Sequence, residues 1–153
     1  MATLADELQR VLRHEIPLTE AMGLAVARYE AGCLTLHAPL AANINHKDTA
    51  FAGSLNALAT LAGWGIVWLM LREAGEEAVI VIQESAIHYR APVRTEMVAT
   101  CRLPDAHTCE RFVATLRTRH KARLALSVTI GPGDRPAVEF RGRYIAHRPG
   151  VLG

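Results

Sequence analysis

The chain has 153 residues, half of them apolar and 21% charged, which excludes a disordered chain and suits one domain with a single core. Seventeen Lys and Arg against fifteen Asp and Glu leave a formal net charge of +2, too even for a nucleic-acid binder. The cysteines Cys33, Cys101 and Cys109 form no CxxC pair, so neither a disulfide framework nor a zinc knuckle is expected, and the cytoplasm is the simplest compartment.

Residues 1–15 mix acids and bases among apolar residues, unlike the basic-then-apolar layout of a signal peptide. Thr3-Leu4-Ala5-Asp6 has the spacing of a capping box with Asp in the acid position, so a helix is predicted over about 4–14. Leu4, Leu8, Val11 and Leu12 put its apolar face at helical spacing. Pro17 stops it, and Leu18 to Met22 can add one further turn. Leu24 to Glu30 and Cys33 to Pro39 are predicted to pair as a hairpin through the tight turn Ala31-Gly32. A polar loop, Ala42 to Thr49, leads into Ala50–Leu71, a run without a charge. Its length allows a membrane span, but Ser54, Asn56, Thr60 and three glycines argue for a buried core helix instead. That helix is expected over about 54–72, with Ser54 or Gly53 near its N-cap and Gly75 near its end.

Beyond it the period changes to two. Strands are predicted at 79–89, 97–103, 112–118, 124–130 and 138–145, joined by short turns as an antiparallel meander. A helix apolar on every side, followed by this run of strands, fits an α+β fold in which a curved antiparallel sheet wraps one long central helix. This is the hotdog arrangement.

Asn43-Ile44-Asn45-His46-Lys47-Asp48-Thr49-Ala50-Phe51-Ala52-Gly53-Ser54, followed by Gly63-Trp64, resembles the putative thioesterase family typified by the YiiD C-terminal domain. Tyr89-Arg90-Ala91-Pro92 is similar to the Y-x-x-P strand end of hotdog thioesterases, and Gly142-Arg143-Tyr144 also fits. The resemblance covers residues 10–147 or so. It implies acyl-thioester chemistry on coenzyme A or acyl carrier protein, hydrolysis first, with a non-hydrolytic acyl-thioester binder or a hydratase/dehydratase as the alternatives, and a homodimer or homotetramer. No cofactor is implied beyond the coenzyme A or phosphopantetheine of the substrate itself.

The start of the long helix is the expected centre. Its N–H groups are unpaired and lie at the positive end of the dipole, where they can hold the oxyanion of a thioester under attack. Phe51-Ala52-Gly53 stands where better-known relatives have His-Gly-Gly, which implies Ala52 or Gly53 as the donor; otherwise Gly53 is only a cap. Thr60 falls where those relatives carry a catalytic Asp or Glu. A hydroxyl is no base near neutral pH, so Thr60 either orients water, attacks with help from a base, or merely bonds back to Asn56 one turn earlier. Asn45 matches the asparagine that orients water or substrate in relatives, whereas Asn43 is the better loop brace.

His46 and Asp48 in the loop are the nearest candidate general bases, and Glu84 in the strand run 79–87 is a second candidate. Phe51, Ser54, Asn56, Tyr89 and Arg90 complete the expected substrate contacts, with Asn43 and His46. His88 reads as a strand-face residue. The seven histidines show no HxH or HxxxH spacing, so no metal is expected. Arg117, Arg119, His120, Lys121 and Arg123 form a basic cluster suited to phosphates or to an acidic carrier, or simply to water. Trp64, Trp68 and Met70 can limit the depth of an acyl tunnel or be ordinary core.

Overall fold

In the computed structural model, which describes residues 1–150, helix α1 (Leu4–Glu15) opens on the capping box read above. The Thr3 hydroxyl accepts from the Asp6 N–H, and the Asp6 carboxylate accepts from the Thr3 N–H. Leu8 and Leu12 bury its inner face. The further turn is helix α2 (Leu18–Met22), closed by Gly23 at φ +66°. Strands β1 (Ala25–Glu30) and β2 (Cys33–Ala38) pair through Ala31 and Gly32, both at positive φ as the twist of a two-residue hairpin turn requires.

Helix α3 (Ala52–Glu73) is the centre. It packs against β2 and against β3 (Val79–Tyr89), β4 (Met97–Arg102), β5 (Lys121–Ile130) and β6 (Val138–His147). By length and composition it is apolar enough to cross a membrane, yet 67% of its most apolar stretch is buried inside the fold. It is the core helix, apolar nearly all round because the sheet encloses it. Its first helical residue is Ala52 and its cap is Phe51, earlier than the Gly53 or Ser54 the sequence points to, and no side chain closes it. Its C-terminus ends as expected at Gly75, in left-handed conformation, with Glu76 N–H reaching back to Leu71 C=O and Gly75 N–H to Arg72 C=O. These are the paired bonds of a Schellman motif.

Two expectations are corrected. Residues 112–118 are not a strand but part of helix α4 (Ala106–Arg119), capped by Asp105. Phe112, Val113 and Leu116 share its buried face, a helical spacing that a short window can mistake for alternation. Nor is the sheet a simple meander: its order is β1-β2-β4-β5-β6-β3, antiparallel throughout. After β3 the chain crosses to the other side of the sheet before forming β4. This crossing carries Val93 past the foot of α3, where its C=O accepts from the Ala50 N–H at 2.8 Å. Among the described residues β3 is left at an edge, paired only with β6. A curved antiparallel sheet around one long helix is the hotdog fold.

The two edges differ. On β1 the Gln9 amide accepts from Val26 N–H at 2.6 Å and donates to Leu24 C=O at 3.2 Å, so α1 closes that side. The eleven-residue β3 carries exposed Val79, Val81 and Tyr89 along the other.

Candidate active site

The loop before α3 is held by its asparagines. Asn43 is buried, and its amide donates to Met22 C=O at 2.9 Å and Pro39 C=O at 2.8 Å. Both donors face protein, which makes Asn43 the brace of the loop. Asn45 Oδ1 accepts from the N–H groups of Lys47 and Thr49, while its amide donates to Thr49 Oγ1 at 2.9 Å and Ala50 C=O at 3.3 Å. These bonds are the local turn chemistry that asparagine favours. They place Asn45 at the wall of a cleft but engage its polar atoms there. Asp48, in left-handed conformation, sits with His46 at the exposed tip of the same loop.

At the end of that loop α3 begins. Leu55 N–H is the first to find a helical partner, Phe51 C=O at 3.0 Å. The N–H groups of Ala52, Gly53 and Ser54 therefore point out of the helix end, which is a ready donor set for negative charge. Phe51 is half exposed and its ring lies over Gly53: a Cβ there would come within 2.4 Å of it. A side chain at residue 53 would thus displace the exposed Phe51 ring from its place over the helix start. Tyr89, at the end of β3, donates its hydroxyl to Ala52 C=O at 3.3 Å. Between the loop, this helix start and Tyr89–Val93 lies a cleft of about 330 Å³, walled by Asn45, Thr49, Leu55 and Pro92 among others. Arg90 stands at its rim, paired with Glu139 at 2.6 Å.

Further along α3, Asn56, Thr60, Trp64 and Trp68 recur every four residues as a half-buried stripe. The Thr60 hydroxyl donates to Asn56 Oδ1, a side chain, at 3.3 Å, rather than to the backbone carbonyl. Trp64 Nε1–H donates to Ile80 C=O of β3 at 3.0 Å.

Glu84 stands elsewhere. It follows a bulge in β3, pairs across the strands with Arg143 and bonds its guanidinium at 3.0 Å on the outer face of the sheet. His88 shares that outer register, opposite Glu139. Neither Asp48 nor Glu84 lines the cleft at the helix start. In the basic cluster, Arg117 is held by Glu76 and by Ala74 C=O. What sequence reasoning missed is Tyr144, fully buried on β6, whose hydroxyl reaches Thr60 C=O. Gly63 was the available signal, since a glycine inside a long helix marks a close approach.

The family described as Putative thioesterase (yiiD_Cterm) matches residues 5–148. Among solved structures, a protein of unknown function from Chlorobaculum tepidum TLS is 32% identical, with a TM-score of 0.91 over 95% of this chain and 94% of that one. A putative thioesterase from Shewanella oneidensis is also 32% identical, with a TM-score of 0.83 over 94% and 97% of the two chains. A protein from Pseudomonas aeruginosa described as a probable thioesterase shares the fold at 22% identity, with a TM-score of 0.80 over 96% and 97%.

Proposed function

Because the chain belongs to the Putative thioesterase (yiiD_Cterm) family, we propose that it hydrolyses acyl thioesters carried on coenzyme A or acyl carrier protein. The observation that supports this most is the uncapped start of α3, whose outward N–H groups open beside a cleft. In this reading the thioester oxygen lies against the N–H groups of Ala52 and Gly53. Water adds to the carbonyl carbon, the developing oxyanion is held by those donors, and the C–S bond then breaks. The proton lost by water ends on the departing sulfur. A thiol of pKa about 8.5 is a good leaving group, so the sulfur need not be protonated first.

Asn56 and Thr60 are suited to hold the attacking water, as paired polar side chains on an apolar helix face. Neither is a base, and the two carboxylates considered above stand off the cleft. Oxyanion stabilisation therefore carries most of the rate in this mechanism. Phe51, Ser54 and Tyr89 at the helix start and Arg90 at the rim are the proposed contacts for the pantetheine arm and its phosphates. Coenzyme A or phosphopantetheine enters as part of the substrate, with no separate cofactor.

The absence of a carboxylate on the α3 stripe favours a second reading, a non-hydrolytic acyl-thioester binder on the same scaffold. Thiol release from a panel of acyl-CoA esters separates the two. Turnover above spontaneous hydrolysis supports the first; tight binding without turnover supports the second. Assembly as a homodimer through the open β3 edge belongs to this proposal, because Gln9 closes the β1 edge and an unpaired long strand is a pairing template. The three cysteines are unbridged, in keeping with the cytoplasm as the proposed compartment.

A further inference from the structure

We propose that Trp64 sets the longest acyl chain the site accepts, its indole acting as a bar across the seam between α3 and β3; this deepens the acyl-thioester reading of the site and rests on it. Two clefts lie at opposite ends of that seam. The first, described above, takes in Ala52 at the start of α3 and Tyr89 at the end of β3. The second, of about 270 Å³, lies at the far end of the helix against the first residues of β3, lined by Trp68, Leu71, Val79 and Ile80 among others. Between them the Trp64 indole spans from helix to strand and is fixed there by its 3.0 Å bond to Ile80 C=O. A tryptophan held by its one polar atom keeps its bulk in place rather than swinging aside.

The seam is suited to hydrocarbon. Ala57 on α3 and Ile82 and Ile87 on β3 are half-buried and pack on the core. Gly53 to Trp64 is eleven residues, roughly 16 Å of helical rise. An extended hydrocarbon zigzags and so advances only about 1.25 Å per carbon. A chain running down the seam from a thioester at the helix start thus meets the indole after roughly thirteen carbons. Beyond it the second cleft closes on charged Arg72, Glu76 and Glu77, which caps how much longer an apolar chain can run once the bar is removed.

The test is a series of acyl-CoA esters of rising chain length, measured as kcat/KM for the wild type, Trp64→Ala and Trp64→Phe. Wild-type efficiency should fall beyond roughly thirteen carbons. Trp64→Ala should raise the ratio of long-chain to medium-chain efficiency about tenfold or more, whereas Trp64→Phe, which keeps ring bulk without the N–H, should leave it within about threefold. A folded Trp64→Ala protein with the wild-type length profile overturns the proposal.

A second measurement needs no turnover. Trp64 and Trp68 are the two tryptophans of the chain, so Trp68→Phe leaves Trp64 as the sole indole emitter. Binding of non-hydrolysable thioether analogues should shift that emission only once the chain is long enough to touch the ring. Emission indifferent to chain length overturns the proposal, whether or not Trp64→Ala folds. A wild type that binds the analogues with this length-dependent shift but hydrolyses no ester retires the hydrolase and leaves the bar standing.

Discussion

The hydroxyl of Tyr144, on the last strand, donates to the main-chain carbonyl of Thr60 in the middle of α3 at 2.8 Å. A helical carbonyl has a second lone pair beyond the one used by the ladder, and the phenol takes it. The approach is possible only because residue 63 is glycine: a Cβ there would lie 2.1 Å from the Tyr144 oxygen. Burial pushes the Tyr144 phenol well above its ordinary pKa, so it stays a neutral donor across the working range.

Gly63→Ala should therefore destabilise the fold by roughly 1–3 kcal/mol through overpacking. Tyr144→Phe, which loses only the bond, should cost about 0.5–1.5 kcal/mol. In a Tyr144→Leu background the cost of Gly63→Ala should shrink, since the ring it strikes is gone. Urea unfolding of the four proteins reads the coupling. Strictly additive costs would mean that the ring and the helix do not oppose each other.

On the α3 stripe, Thr60→Val keeps shape and removes the hydroxyl paired with Asn56. Turnover should fall roughly tenfold or more, equivalent to about 1.4 kcal/mol of barrier, with little change in melting temperature. Asp48→Asn and Glu84→Gln should stay within about twofold of wild type, far from the roughly 10²–10⁴ that loss of a general base costs. The reason is their placement, at an exposed loop tip and on the outer sheet face with Arg143. A large fall in either variant, measured by thiol release, would restore that carboxylate as the base.

Glu76 ties three elements together, accepting from Arg117 of α4 and from Arg148, at 2.5 Å, just past β6. The Arg117 bond first, then the Arg148 bond, hold its carboxyl below its ordinary value of 4.5. A depressed folded-state pKa adds stability that is present above the unfolded value and is lost as pH falls through the folded one. Glu76→Gln should thus be less stable than wild type at pH 7, with the gap closing as pH falls below the ordinary value of 4.5 and through the lower folded-state one. Urea midpoints taken from pH 3 to pH 7 check it; a gap constant over that range contradicts the ion-pair origin.

The wild type should sediment as a dimer at micromolar concentration, because β3 presents an unpaired edge. Ser85→Lys places a charge on that strand at an exposed position and should shift the species towards monomer without lowering the melting temperature of the protomer. A monomeric wild type would remove edge pairing from the account.

Much of this protein is legible in its sequence because the determinants are local. The Thr3–Asp6 box, the Ala31-Gly32 turn, the Gly75 helix end and the apolar surround of α3 each depend on residues within a few positions of one another, and each appears in the structure. The hotdog fold followed from them, since a helix apolar on all sides must be enclosed. Helix α4 was missed although its signals were also local: Asp105 caps at Thr108, and Phe112, Val113 and Leu116 share a face. Tertiary structure alone decided the pairing of β3 with β6, the removal of Glu84 to the outer face and the meeting of Tyr144 with Gly63. These join residues as much as 81 positions apart, and their contacts depend on which strands become neighbours once the chain closes around α3. No local period or turn encodes that choice, so the candidate site was readable as a helix start but not as a set of neighbours.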